Sequence, residues 1–128
     1  MKKTLLLLAS LATGLFLFSI SLRNNSEASN YYQGIPSQLK NTSWHSHDDN
    51  SWSIYRFNKK SYSSSTMGMP GVKVTNVHYT VSRGYYKLVG HGIKNGGYKG
   101  GTEVAYFKVH GTKLTVHYPK FGYTIYYR

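Results

Sequence analysis

A chain of 128 residues with no cysteine, 16 Lys and Arg against 4 Asp and Glu, and 13 tyrosines has room for one small domain. The missing thiol excludes disulfide frameworks, cysteine-ligated zinc, iron–sulfur clusters and cysteine nucleophiles. A formal net charge of +12 raises the local concentration of anions around the molecule, and acidic partners are expected.

Lys2 and Lys3 precede an apolar run from Leu5 to Ile20, broken by Ser10, Thr13, Gly14 and Ser19. The run falls short of the roughly 20 residues a helix needs to cross the hydrocarbon core. Ser26-Glu27-Ala28 supplies the small residues a signal peptidase requires. Residues 1–28 are therefore predicted to be a signal peptide cleaved after Ala28, with retention as an anchor the alternative. No transmembrane span would remain after cleavage, and no cysteine follows the run to accept a lipid. The expected address is secreted and extracellular, with association to the cell surface. Residues 29–128 keep 13 of the 16 basic groups, 3 of the 4 acidic groups and all the tyrosines, an aromatic-rich composition that favours β-strands.

Residues 29–38 read as a polar lead-in segment and residues 39–128 as a β-barrel domain. No window keeps the apolar spacing of an amphipathic helix. Strands are predicted over 42–46, 51–57, 61–67, 72–81, 85–92, 102–110, 113–118 and 123–128. Ala105, Phe107 and Val109 alternate with Val104, Tyr106, Lys108 and His110. After a turn at Gly111-Thr112, Leu114, Val116 and Tyr118 alternate with Lys113, Thr115 and His117. This is a hairpin with one apolar and one basic face. In 72–81 the apolar phase shifts between Val74 and Val77, which predicts a β-bulge at Thr75-Asn76. Gly90, Gly92, Asn95-Gly96-Gly97 and Gly100-Gly101 suit a strongly curved sheet. The expectation is all-β: a small antiparallel up-and-down barrel of about eight strands, with an open β-sandwich as the alternative.

The opening Ile35-Pro36 through Trp44 (I-P-x-x-L-x-x-T-x-W), the stretch Gly84-Tyr85-Tyr86-Lys87-Leu88-Val89-Gly90 and the aromatic ending Tyr123 to Tyr127 resemble small secreted proteins of lactic-acid bacteria, mostly uncharacterised, with a lipocalin-like barrel. Trp44 is similar to the tryptophan of the lipocalin G-x-W opening, with Thr42 in the place of the glycine. The resemblance implies a fold and an extracellular address, and no defined activity.

His45 and His47, two apart on a strand, share a face and with Asp48 could hold a metal ion; the following Asp-Asp-Asn-Ser reads equally as a turn capped by its own side chains. Asp48, Asp49 and Glu103 are the only carboxylate side chains after the leader, a poor supply for paired acid–base catalysis. No G-x-S-x-G elbow or phosphate-binding P-loop spacing occurs. No enzymatic activity and no cofactor are expected. Bases and aromatics interleave at Tyr55-Arg56-Phe57-Asn58-Lys59-Lys60, Arg83-Gly84-Tyr85-Tyr86-Lys87, Tyr98-Lys99 and Tyr118-Pro119-Lys120-Phe121, a pattern suited to polymers bearing phosphate or sugar. The expected function is a secreted, non-enzymatic cationic protein that associates with anionic cell-wall polymers or acidic lipid headgroups through Lys59, Lys60, Lys87, Lys99, Lys108, Lys113 and Lys120. Export argues against nucleic acid as a physiological partner. One alternative is a lipocalin-like carrier of a small apolar or aromatic ligand, with Trp44, Trp52, Tyr106 and Tyr126 at its mouth. The other is a metal-binding protein through His45, His47 and Asp48.

Overall fold

Apolar residues at every second position give each segment one face that water rejects, and a sheet rolled on itself buries all those faces together. The computed structural model describes residues 31–46, 52–119 and 121–128. Its strands are β1 (Tyr32–Gln33), β2 (Thr42–His45), β3 (Ser53–Phe57), β4 (Tyr62–Thr66), β5 (Val72–Ser82), β6 (Tyr85–Gly92), β7 (Gly101–His110), β8 (Lys113–Tyr118) and β9 (Gly122–Tyr127). From β2 to β9 each strand pairs antiparallel with the next, and His45 opposite Tyr127 closes the ring. The fold is an eight-stranded up-and-down barrel with β1 added at β5, as expected from the alternation; the open sandwich is not formed. The leader predicted over 1–28 lies outside the described residues.

Aromatic rings fill the waist. Tyr55, Phe57, Tyr62 and Phe107 project inward from β3, β4 and β7, with every pair of ring centroids 5.1 to 6.4 Å apart. Phe107 meets the other three edge-on, the arrangement that sets a ring's positive edge against a negative face. Leu88, Ala105, Leu114, Val116, Val74 and Val77 complete the core.

One end of the barrel is plugged by the chain that precedes β2. Leu39 and Lys40 N–H groups both donate to the Pro36 carbonyl, at 2.9 and 3.0 Å, and the turn drives Ile35, Pro36 and Leu39 into the core. The Thr42 hydroxyl donates to the Leu39 carbonyl at 2.5 Å and accepts from Trp44 Nε1 at 2.8 Å. The Thr42 hydroxyl thus satisfies two polar groups that burial would otherwise strand. The Arg128 guanidinium lies 5.8 Å from the Trp44 ring, within cation–π reach across the β2–β9 seam.

The predicted bulge is present. Pairing of β5 with β6 shifts between Thr75 and His78, and Asn76 takes a positive φ of 51°. Beyond Val74, β5 has parted from β4, and its free backbone groups need other partners. They find the segment read as a polar lead-in. Tyr32 and Gln33 pair with Tyr79 and His78, Gly34 N–H donates to the Val77 carbonyl at 2.7 Å, and Ile35 N–H donates to the Lys59 carbonyl at 3.1 Å. Among the described residues the first strand of the sheet is Tyr32–Gln33, within the segment read as a lead-in, because a two-residue strand and a plug carry no periodicity to read.

Gly90 lies across from the bulge. A Cβ there would come within 2.5 Å of Val74 Cγ1 and 2.8 Å of the Thr75 carbonyl oxygen, so the bent strand and its neighbour approach only because the side chain is missing. Gly90→Ala should lower unfolding stability by about 1–3 kcal/mol. Val74→Ala in the same chain should recover part of that loss in denaturant melts, since it removes the clashing methyl.

Candidate anion-binding surface

Consecutive antiparallel connections leave a barrel at alternate ends. The plug and the short turns 58–61, 83–84 and 111–112 lie at one end; the β2–β3, β4–β5, β6–β7 and β8–β9 connections lie at the other. At the plugged end the β5 bulge opens a half-exposed groove of about 520 Å³, walled by Gln33, Gly34, Asn76 and Val77 and ringed by Lys40, Lys59 and Lys60. Lys59 and Lys60 occupy the β3–β4 turn, which Asn58 N–H closes on the Ser61 carbonyl at 2.8 Å. Lys40 ends the plug. Gly34, at a φ of +86°, has room for no side chain, since a Cβ would sit 3.0 Å from the Lys59 carbonyl oxygen. Among the described residues no acidic side chain lines the groove, so the three ammonium groups share a positive field that a phosphate would neutralise.

A second basic surface runs over the outer wall of β6–β9. Register places Lys87, Tyr106, His117 and Tyr123 in one row across four strands. The His117 and Tyr123 rings stack at 4.3 Å with 14° between planes, and Tyr106 lies 5.8 Å from His117. Lys108 Nζ sits 5.6 Å from the Tyr85 ring, and Lys113 Nζ 5.9 Å from the Tyr127 ring. Arg83, Tyr85, Tyr106, His117 and Tyr123 line a half-open hollow of about 480 Å³. Flat rings beside cations can hold a sugar face and a charged group together.

The anion-binding lysines proposed from sequence therefore divide by place. Lys59 and Lys60 share the groove with Lys40, which the sequence reading missed because only the bulge brings the plug beside the β3–β4 turn. Lys87, Lys108 and Lys113 lie on β6, β7 and β8, Lys99 belongs to the β6–β7 connection, and Lys120 lies outside the described residues.

The proposed ligand mouth does not assemble. Trp44 is wholly buried, Tyr106 faces out from the barrel wall, Trp52 is half exposed at the open end, and Tyr126 is inside. Its hydroxyl lies 2.9 Å from Ser53 Oγ, which is in turn 3.0 Å from Thr66 Oγ1. Strand alternation assigns a ring to a face but not to a depth, which is why Trp44, Trp52 and Tyr126 looked equivalent, while Tyr106 lies on the face that alternation sets opposite Ala105 and Phe107. Of the metal candidates, His45 points outward on β2, while His47 and Asp48 lie outside the described residues. Among the described residues no three His, Asp or Glu side chains gather about a common point.

The open half of the interior carries hydroxyls. Tyr55 donates to Tyr118 Oη at 2.8 Å, the Tyr98 hydroxyl donates to Glu103 Oε1, and the buried Tyr62 hydroxyl has no partner among the described residues. Tyr98 reaches Glu103 because Gly92 leaves space: a Cβ at Gly92 would overlap the Tyr98 hydroxyl. Burial raises the Tyr55 and Tyr62 hydroxyls well above their usual value. Desolvation, then the hydrogen bond to Glu103 and its charge, push Tyr98 up to about 12. A folded pKa above the unfolded one favours the protonated fold, so this stabilisation is complete below about pH 10 and is lost as pH rises from there through about 12. Alkaline titration followed by tyrosinate absorbance should show late-ionising tyrosines whose change coincides with unfolding. Glu103→Gln should return Tyr98 toward its ordinary value and leave Tyr55 unmoved. Comparison with known protein families, with curated proteins and with solved structures found no match.

Proposed function

We propose that this barrel is an exported, non-enzymatic binding domain that attaches to phosphate-bearing polymers of the cell envelope. The observation that carries the reading is the groove in which Lys40, Lys59 and Lys60 surround Gln33, Gly34, Asn76 and Val77 with no acidic neighbour among the described residues. The cationic and aromatic row on β6–β9 supports it, since a chain-like ligand gains from several weak anchor points on one rigid body. The signal sequence read in residues 1–28 and the resemblance to small secreted proteins support the extracellular address.

The carrier reading has less behind it. Tyr55, Phe57, Tyr62 and Phe107 occupy the waist, and a ligand there would have to displace a packed ring cluster. Both hollows described above open on the exterior.

Retention on purified cell walls tests the proposal. It should fall steeply between low and near-molar salt, where screening shortens to about 3 Å. Replacing Lys40, Lys59 and Lys60 together by Gln should weaken low-salt retention on the order of a hundredfold, at about 1 kcal/mol per lysine near an anionic surface. Retention indifferent to both salt and the triple replacement contradicts the proposal.

A further inference from the structure

At the end of the barrel away from the lysine groove, each of the four connections carries a large apolar side chain in water. Trp52 precedes β3, Met67 and Met69 lie between β4 and β5, Ile93 follows β6, and Phe121 lies between β8 and β9. Trp52 and Met67 are each 49% exposed, Met69 68% and Phe121 85%. Among the described residues, none of the turns at the plugged end exposes a comparable side chain.

These residues sit on an ordered rim. Met67 N–H donates to the Trp52 carbonyl at 3.0 Å, Met69 N–H to the Thr66 carbonyl at 3.1 Å, Ile93 N–H to the Lys73 carbonyl at 2.9 Å, and Phe121 N–H to the Tyr118 carbonyl at 3.0 Å. Asn95 Nδ2 donates to the Gly71 carbonyl at 2.9 Å and laces the β6–β7 connection to its neighbour. The exposure is therefore a property of folded loops. Apolar tips carried by separate loops around a ring offer a plane of contact, where a peptide-binding site would need a groove.

The charges beside the tips indicate what that plane meets. Lys73, Lys94 and Lys99 belong to this end, and Lys120 falls in the β8–β9 connection by sequence. Against them stand Glu103, the only acidic side chain among the described residues, which accepts from Tyr98, and Asp48 and Asp49, which fall in the β2–β3 connection by sequence and lie outside the described residues. Tryptophan, phenylalanine and methionine projecting ahead of lysines match a bilayer surface, whose acyl boundary takes the apolar bodies and whose headgroup phosphates take the ammonium groups.

We propose that the open end of the barrel is a membrane-contact face that inserts Trp52, Met67, Met69, Ile93 and Phe121 into the interface of a bilayer rich in anionic phospholipid. This goes beyond the polymer-binding reading and uses the opposite end of the molecule, so either can fail while the other stands.

The two tryptophans make the test specific, because Trp44 is wholly buried and Trp52 stands on the rim. The full chain, mixed with phosphatidylcholine–phosphatidylglycerol vesicles, should show a blue-shifted emission that brominated acyl chains quench. Trp52→Phe, which keeps an apolar tip, should abolish the quenching and leave vesicle association intact. Replacing Met67, Met69 and Phe121 together by Ser should weaken vesicle binding about tenfold or more, and Met69→Ser alone should weaken it less. Gln at positions 40, 59 and 60 should leave the quenching in place. Vesicle association without quenching of Trp52 overturns the proposal, since the chain is then held by residues 1–30 or by the distant lysines. Equal binding to pure phosphatidylcholine removes the anionic partner and overturns it as well. So does a blue shift without lipid that accompanies dimer formation, which makes a second copy the occupant of the rim.

Discussion

A strand that leaves its neighbour must find new partners for the backbone groups it uncovers, and the path of β5 imposes that requirement on the whole molecule. Its bulge at Asn76 turns the strand away from β4. The vacated edge is filled by Tyr32 to Ile35, and the same segment leads Ile35, Pro36 and Leu39 into the barrel as its plug. The lysine groove is the outer side of this repair. Lys59 offers its carbonyl to Ile35 while its side chain, with those of Lys60 and Lys40, surrounds the opening. Glycine at 90 lets the bend occur and glycine at 34 keeps the groove clear.

Two kinds of surface result from one ring. Alternation along β6 to β9 buries Leu88, Ala105, Phe107, Leu114 and Val116 and by the same geometry sets Lys87, Tyr106, His117 and Tyr123 side by side on the outer wall. The connections obey no such rule: among the described residues the lysine groove lies at the plugged end, while exposed apolar tips gather at the open end with Lys94 and Lys99 beside them. The molecule thus has a polarity along its axis. The two proposals therefore call on opposite ends of one rigid body.

The parts of the fold legible in the sequence are those governed by a period of two. Residues 102–118 declare their faces, and the slip of phase between Val74 and Val77 marks the bulge. What depends on proximity without periodicity stayed hidden. β1 is two residues long and joins the sheet through an edge that exists only after β5 has bent. Trp44 and Trp52 are eight positions apart and similar in local composition, yet one is core and the other rim. Depth along the barrel axis depends on where each strand starts in the ring. Lys40 joins Lys59 and Lys60 for the same reason, and the apolar tips could be grouped only once the connections had been assigned to ends.

The seam between β2 and β9 has a consequence for the order of assembly. Among the described residues it rests on one paired position, His45 opposite Tyr127, with Arg128 lying against Trp44, and it joins the first strand of the ring to the last. Without β9, strands β2 to β8 make only an open, curled sheet with two unpaired borders and Trp44 at one of them. Closure of the cylinder therefore waits on β9, the strand of the ring farthest in sequence from β2, and the pairing that completes it also brings Arg128 over the Trp44 ring.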